Sequence, residues 1–238
     1  MKNNIINFKG IKFYNYSFTK IVSKIDKGGY LVAPAASALS VINKNKKYHD
    51  SLKKSDIAIF DSGFFCILLR IFKGKKVNKL SGYFFLKKFL GINFKKKKTK
   101  FLTIDPSITD SKLNKLYLRS RNIKNVKGYV APKYDHNNIR DPKLIKLIKK
   151  YKPKYIIINI GGEVQEILGL LIKNNINYKV SIICTGAAMA FLTKRQAPIN
   201  DMIDRYYLGW LMRILFNPGK FFIRTIRSLY LIKHVVTD

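Results

Sequence analysis

The sequence predicts an α/β fold, and three observations carry that expectation. Short apolar runs alternate with longer segments of helical period along most of the 238 residues. The run Tyr155–Ile160 shows no polar alternation until Asn159, as expected of a central strand buried on both faces. After Pro198 the chain changes character and reads as basic, aromatic helices. Together these predict a Rossmann-like, mostly parallel sheet with helices on both faces over residues 1–200. A C-terminal basic helical appendage follows over 201–238.

Taken in order, the strand Tyr30–Ala33 is followed by a helix over Ala36–Asn45, and the strand Ile57–Phe60 by the helical stretches Phe64–Phe72 and Phe84–Leu90. The strand Phe101–Ile104 leads to the helix Asp110–Arg119, and Val126–Val130 to Pro142–Tyr151. The strand Tyr155–Ile160 leads to Glu163–Asn174, and Val180–Cys184 closes the alternation. Each strand is a short apolar run, and each helix spaces its apolar residues to cover one face of the sheet. Beyond Pro198 two helices are expected, Ile203–Phe216 and Pro218–Val235, broken at Asn217-Pro218.

Composition narrows the function. Apolar residues make up 47% of the chain and aromatics 13%, enough for a buried core and too much for a disordered chain. Forty-seven Lys and Arg against 13 Asp and Glu give a net charge of +34, which argues against a neutral, freely diffusing metabolic enzyme. The excess favours an anionic partner: nucleic acid, an acidic bilayer surface or a phosphate-rich substrate. The joint richness in Lys, Ile and Asn also fits AT-rich codon usage, so charge alone leaves the choice open.

Cys66 and Cys184 lie in apolar runs without metal-ligand spacing, and read as buried thiols. His49, His136 and His234 stand in polar or terminal contexts and read as ordinary surface histidines. The first residues lack the apolar core of a signal peptide, and no apolar run reaches the ~18–20 residues of a spanning helix. A cytoplasmic protein that touches the membrane surface is expected.

The tail is the most distinctive segment. From Arg205 to Thr237 there is no acidic residue, and Lys220, Arg224 and Arg227 fall at helical spacing on one face among Phe221, Phe222, Leu229 and Tyr230. A basic amphipathic helix with aromatics suits an anionic membrane interface; the plainer alternative is a terminal helix docked on the sheet with a solvated edge. The run Lys95–Lys100 is read as solvated charge, and with no recognition motif beside it, nucleic acid is not expected as a partner.

In an open parallel sheet, ligands bind beyond the C-terminal strand ends. Asp61-Ser62-Gly63 follows one strand there. Asp61 can serve as a general base toward a hydroxyl nucleophile or as the N-cap of the next helix, a role Ser62 fills equally well. Gly161-Gly162 opens another helix, whose bare N–H groups suit a phosphate or carboxylate. No GxGxxG, GxxxxGK[ST] or DxD is present, so nicotinamide, P-loop and metal-bridged nucleotide-sugar sites are disfavoured. Neither a metal nor a cofactor is expected.

From about residue 5 to 235 the chain resembles the WecG/TagA/CpsF family of bacterial glycosyltransferases. The resemblance rests on ordered landmarks: Phe60-Asp61-Ser62-Gly63; Lys79-Leu80-Ser81-Gly82; Gly161-Gly162-Glu163-Val164-Gln165-Glu166; Gly186 to Phe191-Leu192, then Lys194-Arg195-Gln196-Ala197-Pro198; and Leu208-Gly209-Trp210-Leu211-Met212-Arg213 with Pro218, beside the family's G-L-E-W-L-x-R-L. It implies a metal-independent, inverting transfer of an N-acetylhexosamine-type sugar from UDP to a polyprenyl-diphosphate-linked acceptor, at the inner membrane face, in teichoic acid, capsule or related cell-surface polysaccharide assembly. Asp61 would be the general base. Lys79, Gly161, Gly162, Gln165, Glu166 and Gly186 would serve substrate binding, with Arg213 and Arg224 closing over the site toward the lipid-linked phosphates. The tail's apolar positions also allow a homo-oligomer.

Three departures stand out. Ala33 and Ala35 replace the family's Thr and Asn, Phe84 replaces an acid, and Gly209 replaces the glutamate before the tail tryptophan. Fewer hydrogen-bonding groups on one pocket wall means altered sugar recognition, or a homologue that binds lipid-linked glycan or scaffolds other enzymes without catalysis.

Overall fold

A computed structural model describes residues 4–92, 99–135 and 138–238. Lys95–Lys98 of the basic run, His136 and the side chain of Lys220 lie outside the described residues.

The chain opens with two strands the sequence reading did not assign, β1 (Ile5–Phe8) and β2 (Ile11–Tyr14), joined through Lys9-Gly10. Both turn residues have positive φ, 49° and 77°, the geometry of a two-residue hairpin. Helix α1 (Phe18–Ile25), capped by Ser17, buries Ile21 and Ile25 and leads to β3 (Gly29–Val32). The helix expected over Ala36–Asn45 stops at Leu39, and a further helix that the sequence reading did not assign begins after Asn45. α2 (Ala36–Leu39) is one turn long, and α3 (Lys46–Lys53) starts afresh because the Asn45 side chain accepts the N–H of Tyr48 and caps a new helix.

Then follow β4 (Ile57–Ala58), α4 (Gly63–Lys73), α5 (Gly82–Leu90), β5 (Phe101–Asp105), α6 (Ile108–Ser120) and β6 (Val126–Val130). The alternation continues through α7 (Pro142–Tyr151), β7 (Tyr155–Ile158), α8 (Val164–Asn175), β8 (Ser181–Cys184) and α9 (Ala188–Leu192). The eight strands form one sheet in the order β1-β2-β4-β3-β8-β7-β5-β6, parallel throughout except for the β1–β2 hairpin.

The strands divide their residues between two cores by the period-two rule. Tyr30, Val32, Ile156, Ile158, Ile182 and Cys184 enter one core, shared with α2, α3, α4, α7 and α8. Leu31, Ala33, Tyr155, Ile157 and Ile183 enter the other, covered by α1, α5, α6 and α9. Both faces are apolar along β7, which is why it reads as an unbroken apolar run. Cys66 and Cys184 are buried free thiols.

The two long helices expected in the tail are four: α10 (Asp201–Arg205), α11 (Gly209–Phe216), α12 (Pro218–Leu229) and α13 (Leu231–Val236). The break at Asn217-Pro218 falls where proline dictates. The break before α11 comes from Tyr207, whose φ of 64° ends helical geometry. α12 packs on α2 and α11, and α13 on α4, placing Leu231 and Val235 in the first core. No helix among the described residues is long and apolar enough to cross a membrane.

Candidate active site

Four adjacent strands, β4-β3-β8-β7, end side by side, and the candidate residues cluster beyond their C-terminal ends. Asp61 follows β4. The cap of α4 is Ser62, whose Oγ accepts the N–H of Phe65 at 3.2 Å, so Asp61 does not spend its carboxylate there. Its Oδ1 accepts instead the backbone N–H of Gly82, at 2.7 Å, in the first turn of α5. Oδ2 accepts no hydrogen bond from the described residues, which leaves it open to a substrate hydroxyl.

Burial raises the Asp61 pKa; the Gly82 N–H and then the charges of Arg213 and Lys79 oppose the rise, while the carboxylate of Asp204 adds to it. The result is a carboxylate with more proton affinity than a solvated one and cations beside it, the setting of a general base.

Those cations come from two parts of the chain. Lys79 precedes α5, and its Nζ pairs with Asp204 Oδ1 at 2.9 Å and also donates to the Asp204 carbonyl. Arg213 lies on α11 with its guanidinium 4.8 Å from the Phe191 ring centroid; its Nε is buried without a hydrogen-bond partner, and burial lowers its pKa. Arg224, on α12, is exposed, and its charge also depresses Arg213. The tail therefore brings Arg213 within electrostatic reach of Asp61, while Arg224 is exposed on α12.

On the other side of β3 the site is built around Gln165. This residue is buried in the first turn of α8, where its Oε1 accepts the N–H of Gly186 at 3.1 Å and its Nε2 donates to Glu166 Oε1 at 2.7 Å. Gly186, at φ 63°, follows β8 in a conformation that favours glycine. Glu166 is 1% exposed, and its Oε2 has no partner; burial pushes its carboxyl up to about 7 against the opposing Gln165 amide. Gln165 and Glu166 thus hold each other and the β8 loop.

Gly161 and Gly162, between β7 and α8, have neither positive φ nor a crowded neighbour: no atom lies within 4 Å of where a Cβ would sit on either. Space above a glycine turn that opens a 12-residue helix is where backbone N–H groups can approach an anion. The turn into α8 runs through Glu163 at φ 72°, an uncommon conformation for a side chain.

Gly82 joins the two halves. A Cβ there would lie 2.9 Å from the Thr185 carbonyl oxygen and 3.4 Å from the Ala33 Cβ, so α5 starts directly over the ends of β3 and β8. Ala33 is buried, and Ala35 precedes α2 without a side-chain cap, so the wall that carries the family's Thr and Asn is apolar here. Phe84 packs beside Tyr83, Phe191 and Ala197. Among the described residues, no three His, Cys, Asp or Glu side chains gather as a metal site would need.

Sequence reasoning missed Asp204 and Tyr207. Tyr207 packs against Gly63, where a Cβ would fall 1.9 Å from the ring, and Lys79 Nζ lies 4.8 Å from its ring centroid. The signal was available in the tail motif, since the leading glycine of G-L-E-W falls at Tyr207, the position with positive φ.

A carboxylate flanked by cations at the C-terminal edge of a parallel sheet, with an open glycine turn three strands away along the same edge, suits group transfer from a phosphate-bearing substrate. The model of the WecG/TagA/CpsF glycosyl transferase family matches residues 6–237, and the chain belongs to that family. It is by family a glycosyltransferase of cell-surface polysaccharide synthesis. No curated protein matches the chain.

Proposed function

We propose that the protein is a membrane-associated, inverting glycosyltransferase that moves an N-acetylhexosamine-type sugar from a UDP-sugar to a polyprenyl-diphosphate-linked acceptor. The observation that carries this is Asp61, with one oxygen tied to Gly82, the other open, and Lys79 and Arg213 close enough to shift its proton affinity. In the proposed reaction an acceptor hydroxyl attacks the anomeric carbon, its proton passes to Asp61 Oδ2, and the bond to the UDP oxygen breaks with its electron pair leaving on UDP. Lys79, Arg213 and the N–H groups at Gly161 and Gly162 offset the diphosphate charge in place of a metal. Gln165 holds Gly186 and so fixes the loop beside the donor.

The tail supplies the membrane contact in this proposal. Leu215, Phe216, Phe222, Ile223 and Leu229 are all more than half exposed, and Arg224 and Arg227 lie exposed among them. Large apolar groups interleaved with unneutralised bases are suited to the inner, anionic face of the plasma membrane, where a lipid-linked acceptor resides. Teichoic acid or capsule assembly is the setting this implies.

The inactive-scaffold alternative requires a filled pocket. The open space over Gly161 and Gly162 favours catalysis. The test is UDP release from a panel of UDP-N-acetylhexosamines in the presence of vesicles carrying a polyprenyl-diphosphate-linked acceptor. Acceptor-dependent release from one donor is expected. Folded, vesicle-bound protein that turns over none of them would favour the scaffold.

A further inference from the structure

The helix α10 is held to the sheet by charge. None of its five residues is buried. Its two acids each pair with a lysine of the core: Asp204 with Lys79 at 2.9 Å, and Asp201 with Lys87 at 2.7 Å. The first pair is the sheltered one, with side chains 11% and 17% exposed, whereas the second stands largely in solvent. These are two of only 13 acids in the chain, and beyond them the tail has none until Asp238.

The place Asp204 occupies matters more than the pairing itself. Its carboxylate acts on Asp61 and on Arg213 as well as on Lys79, so one anion from the tail sits among the cations that surround the proposed base. Arg213 has no ion-pair partner among the described residues, and its Nε is buried with no acceptor. The cations thus face less bound negative charge than they could take, and the carboxylate ion-paired with Lys79 among the described residues belongs to an element with no buried residue.

Immediately after α10 comes Tyr207, in left-handed backbone at φ 64°, its ring packed into the notch at Gly63. That contact fixes the turn between α10 and α11. Movement of α10 about this turn would release Lys79 and leave Arg213 in place.

We propose that Asp204 is a built-in surrogate anion: it occupies Lys79 in the empty enzyme and is displaced when the diphosphate of the donor arrives. The inference rests on the donor site proposed above. Three features carry it: a carboxylate already bound where an anionic ligand is needed, a helix with no buried residue whose two acids each pair with a lysine, and a fixed turn beside it. A competing intramolecular anion lowers the apparent affinity for UDP by the fraction of molecules in which it is bound.

The test is calorimetric titration of UDP, with uridine as the uncharged control, into the wild type, Asp204→Asn and Asp201→Asn, together with hydrogen exchange over residues 201–206. Asp204→Asn is expected to bind UDP roughly tenfold tighter, with uridine binding unchanged. Asp201→Asn, which weakens the hold on α10 without touching Lys79, is expected to give a smaller gain, about two- to threefold. Saturation of the wild type with UDP should speed exchange in α10. UDP binding to Asp204→Asn that is equal to or weaker than wild type, or α10 amides that become protected by UDP, would overturn the surrogate role while leaving the donor site standing. Should Asp204→Asn fail to fold, Asp201→Asn and the wild-type exchange decide the question. If folded wild type and both variants all fail to bind UDP, the donor site itself is wrong, and the surrogate falls with it.

Discussion

The carboxylate of Asp61 accepts the backbone N–H of Gly82 at 2.7 Å, so the end of β4 is tied to the start of α5. Gly82 in turn lies against the Thr185 carbonyl, leaving no room for a side chain. One residue therefore sets the orientation of the proposed base and the spacing between the two halves of the site. Gly82→Ala should cost about 1–3 kcal/mol of stability, because the obstructing atom is backbone and cannot yield. It should also draw the N–H away from Asp61, remove an interaction that favours the carboxylate, and move the acid limb of the activity profile to higher pH. Urea denaturation and a pH–rate profile measure the two effects.

Glu166 gives the fold a pH dependence of definite sign. Its carboxyl titrates near 7 in the folded chain against an ordinary value of 4.5, so the unfolded chain gives up this proton first as the pH rises. This contribution to stability is fully present below about 4.5 and is lost as the pH climbs through 7, on the order of 3 kcal/mol. Glu166→Gln keeps an acceptor for the Gln165 amide and removes the titration. It should flatten the stability profile over that interval and stabilise the protein at pH 8, as read by denaturation midpoints across the range.

Much of this arrangement is legible in the sequence because the central strands are buried on both faces. Runs such as Tyr155–Ile158 leave few alternatives, and Asp61, Gly161-Gly162 and Gly186 each announce a strand end by interrupting an apolar run. The β1–β2 hairpin was missed although Ile6, Phe8, Ile11 and Phe13 alternate about Lys9-Gly10, since a two-residue turn led by lysine is a weak turn signal. The helix expected over Ala36–Asn45 ends at Leu39, and Asn45 instead caps α3, which the sequence reading did not assign. Local pattern also cannot show that Asp204 meets Lys79, 125 residues away in the chain, or that Glu166 folds inward onto Gln165.

Tyr207 depends on the absence of a side chain at Gly63. With Gly63→Ala the new Cβ would meet the ring at 1.9 Å, so the ring must leave its notch. The core should retain its unfolding transition within a few degrees, while the turn between α10 and α11 loosens. Trp210, the single tryptophan and three residues from Tyr207, provides the readout. Its emission should change and its quenching by iodide increase, with loss of turnover.

Membrane contact through the tail predicts a separable effect. Replacing Phe222 and Ile226, both exposed on α12, with serine removes apolar surface without opening the core. Binding to phosphatidylglycerol vesicles should weaken by about five- to thirtyfold, at roughly 1–2 kcal/mol for the two side chains at an interface, with the thermal midpoint unchanged. Cosedimentation at two ionic strengths would separate this apolar loss from the salt-sensitive share due to Arg224 and Arg227.

The central claim is that Asp61 takes the acceptor proton, and the most direct measurement compares wild type with Asp61→Asn for both UDP affinity and acceptor-dependent UDP release. Asparagine keeps an oxygen to accept the Gly82 N–H, so UDP should bind with affinity within a few-fold of wild type. Turnover should fall by about 10²–10⁴, the usual contribution of a positioned general base, and the acid limb of the pH profile should vanish with it. Turnover within a few-fold of wild type in a folded Asp61→Asn variant would contradict the account and move the base to another residue.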